Sequence, residues 1–569
     1  MSRLFQSVRP IAGILLRARL LTAMLCLAAP AGAVLADEPL HWQIDALIGV
    51  GNPDWASRSA GRADDAEFLR RIYLDLVGTI PTSREVVQFL HDPDFDKRRR
   101  LIDRLLADPW HARRLQYVFD QMLMERRPDK HVPSKEWRGY LRHSFLDNKP
   151  WDRLVREVLS ADGAEDKLRP AAKFVLDRKL DADLLTRDIG RVFLGRDLQC
   201  AQCHDHPSVD DYLQRHYFGI AAFFKRSSLF TDSKTKKVSI GEKAEGEVSF
   251  TSVFTDVKQQ TAPRILDLPP IPDPPKSEQP YLAKPAKNVR SVPAYSRRLQ
   301  LADAITDPSN TAFRRNIANR LWAFMMGRGL VEPLDMWHNE NPPSHPILLD
   351  RLADDLMASG YNIRRLLREL ALTETYQRSS QGAEGIEGAG EAGFAVAALK
   401  PLSAEQLAWS MMQALGVVET KLPKLKAKLA SSDPKTGPKR SQDSLWQEEA
   451  LNSALAVHVD LFVTTFSVHG AQSNQFDPSA GQALFLLNGK VLQGWLRPQG
   501  ENLTGRLNQI DNPRKTAAEL FRSVLSRLPT QQEVRDVVSY LEDRKQDQPA
   551  ALQELAWVLL SSAEFRFNH

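Results

Sequence analysis

Cysteine is scarce, with three in 569 residues. One of them, Cys26, falls in an N-terminal segment that reads as removable, so the mature chain holds only Cys200 and Cys203. That excludes a framework of scattered disulfides, the usual support of small exported domains. Long apolar runs are also missing. Beyond the N-terminus no stretch approaches the ~20 residues that a membrane-spanning helix needs. There is no Gly-rich phosphate loop, no nucleophile elbow and no His-Glu-x-x-His. Charge of one sign is lacking as well. The formal charge is +5, but four of the 76 basic residues (Arg3, Arg9, Arg17 and Arg19) lie in the acid-free first 36 residues, which leaves 72 bases against 71 acids. Nucleic acid is therefore not an expected partner. With 43% hydrophobic and 26% charged residues the chain is ordinary globular protein. Its length implies several units, and 35 prolines against 29 glycines imply Pro-containing connections.

Residues 1–36 have the form of an export signal: an Arg-bearing start, an apolar stretch over 20–29, and Val34-Leu35-Ala36 as a small-residue cleavage site before Asp37. The leader has no Arg-Arg pair, which points to the general secretory route. An uncleaved anchor is the alternative, although the apolar core is short for a span. The expectation is a cleaved Sec-type signal, a periplasmic or otherwise exported protein, and no transmembrane span in the mature chain.

The remainder predicts a mainly α fold, as two large helical lobes with a small β insertion and a Pro-rich linker. Phe68, Ile72 and Leu76 recur at helical spacing, as do Leu101 and Leu105. Thr82-Ser83-Arg84-Glu85 is a capping-box signal after Ile80-Pro81. It recurs as Thr530-Gln531-Gln532-Glu533 after Leu528-Pro529 and is read either as a distant internal repeat or as two independent boxes. Ser403-Ala404-Glu405-Gln406 opens a further helical unit. Residues 236–255 alternate in polarity and predict a small hairpin or sheet. Nine prolines over 263–293 predict an extended linker. The expected boundaries are a signal peptide at 1–36, a first helical domain at 37–262, the linker at 263–295 and a second helical domain at 296–569. A Gly-rich linker lies within the second domain near 381–395, and the Lys-rich 421–445 is expected to be a loop.

One motif carries chemistry. Cys200-Ala201-Gln202-Cys203-His204 has the Cys-x-x-Cys-His spacing of c-type haem attachment. Two thiols three residues apart can reach the vinyl groups on one porphyrin edge, and the adjacent imidazole then lies under the iron as its proximal ligand. The attachment chemistry belongs outside the cytoplasm, in keeping with the leader. Two other readings stand beside it. In the first, Cys200 and Cys203 join His206 or His216 around a zinc or iron ion. In the second they form a bare disulfide or thiol pair. In a haem site His206 is too close to His204 to reach the opposite porphyrin face, whereas His216 is far enough along the chain to serve as distal ligand. Asp335, His338, Asn339 and His345 form a second polar cluster in a Pro-rich loop. Trp322 reads as core, and His458 and His469 as packing or capping residues.

Several strings together resemble a known family. Phe68 to Leu76, Gly78-Thr79-Ile80-Pro81-Thr82, and Phe193-Leu194-Gly195 leading into Cys200-Ala201-Gln202-Cys203-His204-Asp205-His206-Pro207 are similar to the planctomycete-type cytochrome-associated domain. Asn319-Arg320-Leu321-Trp322, Gly327 to Pro333, Asn341 to Pro346, Pro401 to Gln406 and the ending Ser561 to His569 resemble its usual C-terminal companion. The resemblance covers nearly the whole mature chain. It implies an exported protein of unestablished biochemical function, often fused to a cytochrome c domain or carbohydrate-binding modules. The first expectation is an exported protein with covalent haem c that transfers electrons or gives redox support to extracytoplasmic degradation. Its partners would be proteins outside the cytoplasm, redox proteins among them. A scaffold with a structural Cys/His metal site, and a haem or metal enzyme acting on polysaccharide-like substrates, are the alternatives, so catalytic residues are not assigned.

Overall fold

A computed structural model describes residues 38–50, 55–251, 258–381, 393–467 and 478–569. The expected leader, His469 and most of the Gly-rich stretch lie outside the described residues. Helices dominate, and no strand among the described residues exceeds five residues. The chain is mainly α.

Helix Asp65–Leu76 shows how the sequence builds the first core. Asp64 caps it, accepting from the amides of Ala66 and Glu67 at 2.9 and 2.8 Å. Phe68, Leu69, Ile72 and Leu76 are buried on its packed side. Arg70 and Arg71 are buried too, contrary to what a charged pair suggests in sequence. Both cross-link distant backbone: Arg70 donates to the Phe565 carbonyl at 2.8 Å, and Arg71 donates to those of Tyr376 and Arg378, each at 2.7 Å. Buried guanidiniums satisfied in this way act as rivets between segments.

The capping boxes at Thr82/Glu85, Ser403/Gln406 and Thr530/Glu533 all form. The first and last belong to matching units. Each runs from a helix through a left-handed residue (Gly78, φ 83°; Ser526, φ 62°) and a Pro-Thr pair into the boxed helix. The two units touch: Ser83 donates to Glu519 at 2.8 Å, and Ile80 shares a core with Leu520 and Val524. A repeated order of conformations, down to the left-handed residue, favours an internal repeat over two independent caps.

The hydrophobic cores do not divide at the Pro-rich stretch. The first core draws on residues from both sides of it, and the Trp151 ring stacks on Phe313 with centroids 6.5 Å apart. The second core is built from residues 407–565 together with Leu74 and Ile80. In packing, the change of lobe falls between Phe394 and Leu407. The Pro-rich stretch is extended, as expected, but it is a fastened strap and not a spacer between lobes. Tyr281–Ala283 pairs with Val292–Pro293, Asp273 accepts from Arg226 and Arg297, and Arg290 donates to the Ile240 carbonyl at 3.0 Å.

The β element is two hairpins. Ser227–Thr231 pairs with Val238–Glu242 (Leu229 opposite Ile240), and Val248–Thr251 pairs with Lys258–Thr261. The first begins before the alternating residues, because Asp232 closes its turn by accepting from the amides of Lys234 and Thr235. The loop expected over 421–445 is instead mostly helix, Val417–Ser431 and Gly437–Gln442. Lysine and leucine are good helix formers, and an exposed helix needs no buried stripe to adopt that conformation.

Candidate functional site

The cysteine motif sits where a helix is stopped and the chain is turned back. Helix Ala182–Leu194 ends at Gly195, φ 68°, where a Cβ would lie 3.0 Å from the Asn316 side-chain oxygen. Only glycine suits both the left-handed backbone and the close approach. Beyond it Leu198 and Ala201 are fully buried anchors, while Cys200 and Cys203 between and after them are exposed, unpaired thiols. The two are joined by a tight turn over Cys200–Gln202, in which the Cys203 amide donates to the Cys200 carbonyl at 3.4 Å.

The following residues are held by the start of helix Gln214–Ala221. Asp205 accepts from the Gln214 amide at 2.7 Å, and the Gln214 side chain returns a bond to the Cys203 carbonyl at 3.0 Å. His204 Nδ1 lies 2.7 Å from the Asp205 carbonyl oxygen. A carbonyl only accepts, so Nδ1 carries the proton and the lone pair is on Nε2. His206 Nδ1 accepts from the Ser208 amide at 3.2 Å, which orients that ring by its own loop.

His216 is the main departure from expectation. It is fully buried, its Nδ1 accepts from the Leu213 amide at 3.4 Å, and its Nε2 donates to Asp267 at 2.8 Å. Burial lowers its pKa against the pull of Asp267, keeping the ring neutral. Burial opposes ionisation of Asp267, but His216 and Arg215 hold that carboxyl below its usual range. Both ring nitrogens are thus committed to the fold, so His216 is placed as a structural residue and not as the distal ligand proposed from its position in the chain. The zinc set fares similarly. Among the described residues no three His, Cys, Asp or Glu side chains come together as a metal-holding group.

The structure adds a neighbour that the motif does not reveal. The loop that carries Asp335, His338 and Asn339 docks against the cysteine segment. Asp197 donates to the Asp335 carbonyl at 2.8 Å, Trp337 to that of Gly195 at 3.0 Å, and Arg196 bridges to Met336. Tyr212 stands between the two loops. Its hydroxyl donates to the Trp337 carbonyl at 3.0 Å, and its ring meets His338 edge-on at 5.4 Å and His206 at 6.0 Å. Burial raises the Tyr212 pKa, keeping the phenol protonated. His345, grouped with this loop in sequence, packs instead on Phe394 at 5.8 Å. Trp322 is core, as expected, and His458 packs edge-on against Trp495 at 5.2 Å. Tyr212, Met336 and Trp337 escaped the sequence reading because these contacts join segments more than a hundred residues apart and have no local pattern.

Two family models match the chain. Residues 43–228 match PSCyt2, a protein of unknown function (DUF1549). Residues 297–541 match PSD1, a protein of unknown function (DUF1553). The chain is therefore a mainly α protein that joins a PSCyt2 domain to a PSD1 domain, in that order. No curated protein and no solved structure matches it. The docked loops bring the two matched segments together at the cysteine motif.

Proposed function

We propose that the protein is an exported c-type haem protein that passes single electrons to protein partners outside the cytoplasm, with haem tethered through Cys200 and Cys203 and its iron held by His204. The observation that carries this reading is the pair of exposed, unpaired thiols one tight turn apart, followed by an imidazole whose lone pair is on Nε2. These residues fit the group: the thiols are open to a porphyrin edge, and the Asp205 carbonyl fixes the tautomer that ligates iron. When bound, haem supplies one-electron redox chemistry. The chain's own contribution is positional. Leu198 and Ala201 anchor the turn, Gln214 holds the Cys203 carbonyl, and Tyr212 with Trp337 closes the inner side of the loop. The leader at 1–36 supports export into a compartment where such attachment takes place.

Intact-mass spectrometry of the protein made in a host with haem-c maturation tests this directly. The expected mass is that of the polypeptide from Asp37 plus one porphyrin. The bare polypeptide mass would overturn the reading.

A further inference from the structure

A second feature lies far along the chain from the cysteines. Helix Val417–Ser431 and the short helix Gly437–Gln442 pack on each other as a hairpin. The fit at the bend is close: a Cβ on Gly437 would lie 2.4 Å from the Ala430 carbonyl oxygen, so only glycine lets the second helix start there. Val417, Val418, Leu422 and Leu425 recur at helical spacing and are half-buried against the second core. One side of the hairpin is thereby seated on the body of the protein. The exposed side carries charge.

Residues 421–442 hold seven basic residues and one acid, whereas the rest of the chain after residue 36 holds 65 bases against 70 acids. A strongly positive hairpin thus stands on a weakly negative body. Lys421, Lys424 and Lys428 lie on one face of the first helix, Lys435 follows in the turn and Lys439 in the second helix. All five are exposed, and among the described residues none of them enters an ion pair. The acids nearest in sequence are committed elsewhere. Glu419 accepts from Arg506 at 3.0 Å, Asp433 from the amides of Lys435 and Thr436 at 2.7 and 3.1 Å, and Asp443 from the Leu445 amide at 2.8 Å. Unpaired like charges held this close repel one another, a cost that a facing anionic surface removes.

The form of the patch selects among anionic partners. Lysine is depleted from the dry centre of protein interfaces, where aromatic and apolar side chains gather. None of the large exposed apolar side chains among the described residues comes from 417–442. A linear polyanion calls for a single row of cations, whereas these spread over two helices and the turn between them. Clusters of about four to eight basic residues on a helical surface suit a layer of anionic headgroups. At the edge of the cluster Trp446 is 40% exposed, with Arg440 over its ring at 4.4 Å. An indole beside cations settles at headgroup level, its ring apolar and its N–H wet. From this arrangement we infer that the 417–442 hairpin docks the protein on an anionic lipid surface, through its unpaired lysines and with Trp446 at the rim. Docking of this kind holds whether or not haem is attached at Cys200 and Cys203.

Vesicle co-sedimentation of the mature chain tests this. The probes are vesicles of phosphatidylcholine alone, vesicles of phosphatidylcholine and phosphatidylglycerol in equal parts, and soluble polygalacturonate. The expected result is binding to the mixed vesicles at least about ten-fold tighter than to the neutral ones, weakening as salt rises from about 0.05 to 0.5 M. The triple variant Lys421→Gln, Lys424→Gln, Lys428→Gln removes three charges at exposed positions. It should weaken that binding by at least about thirty-fold with the melting temperature retained. Equal binding to both kinds of vesicle would overturn the inference, as would unchanged affinity in the triple variant. Tighter binding to polygalacturonate than to the mixed vesicles, at equal concentration of anionic groups, would overturn it in favour of a polymer partner.

Discussion

Lys400 places its ammonium 2.6 and 2.7 Å from the two carboxylate oxygens of Asp75, which is 2% exposed. The same carboxylate accepts from the Tyr376 hydroxyl and the Asn568 side chain, each at 2.8 Å. Asp75 comes from the first helical unit, Lys400 from the crossing between lobes and Asn568 from the C-terminal end. One buried charge therefore joins three segments that share no local sequence. Removing one partner of a buried pair typically costs about 3–5 kcal/mol, because the other is left uncompensated. Asp75→Ala should destabilise the protein by that order in denaturant unfolding, and Asp75→Asn by somewhat less.

His111 predicts an acid-sensitive core. Its Nδ1 donates to the Leu76 carbonyl at 2.9 Å, and its Nε2 is buried without a partner. Burial lowers its pKa from 6.5 to about 4. The neutral form is favoured in the folded state, so this contribution is complete above pH ~6.5 and is lost as pH falls through ~4. Stability should drop by roughly 2–3 kcal/mol across that window. His111→Asn, which keeps a donor for Leu76 but does not titrate, should flatten the slope. An unchanged pH profile by urea unfolding would exclude the assignment.

Ser526 predicts a stabilising substitution. It occupies the left-handed region at φ 62°, where its counterpart in the first unit is Gly78, and its buried hydroxyl lacks a partner. A non-glycine residue there costs about 1–2 kcal/mol. Ser526→Gly should raise stability by about 1 kcal/mol, after allowance for the greater freedom of glycine in the unfolded chain. Thermal unfolding reads this as a higher Tm.

The cysteine series separates tether from ligand. Cys200→Ser and Cys203→Ser should each leave at most one thioether, and the double variant none. Both side chains are exposed, so folding stability should stay within about 0.5 kcal/mol. His204→Ala should retain some covalent attachment but change the visible spectrum, since it removes an iron ligand. His216→Ala should leave the spectrum alone and lower stability, because it breaks the bonds to Leu213 and Asp267. A structural metal would instead make each cysteine variant lose metal and stability together.

Local signals in the sequence determined a good deal. Helical spacing around Phe68 and Ile72, the three capping boxes and the short β element depend on neighbours within a few residues, and they appear where those neighbours place them. The Cys200–His204 motif was legible for the same reason, as a spacing along one turn. What depends on distant partners was decided only by the tertiary structure. His216 looked available because its chain distance was right, yet Asp267, 51 residues further on, commits its ring. The Pro-rich stretch lies between the two matched segments, but composition does not say which surfaces bury one another, and residues on both sides of it share one core. Arg70 and Arg71 are buried because the Phe565 and Tyr376 carbonyls, distant in sequence, supply the bonds that make their burial tolerable. Periodicity and capping act over one or two turns of chain, whereas burial and pairing of polar groups are settled by which segments meet in space.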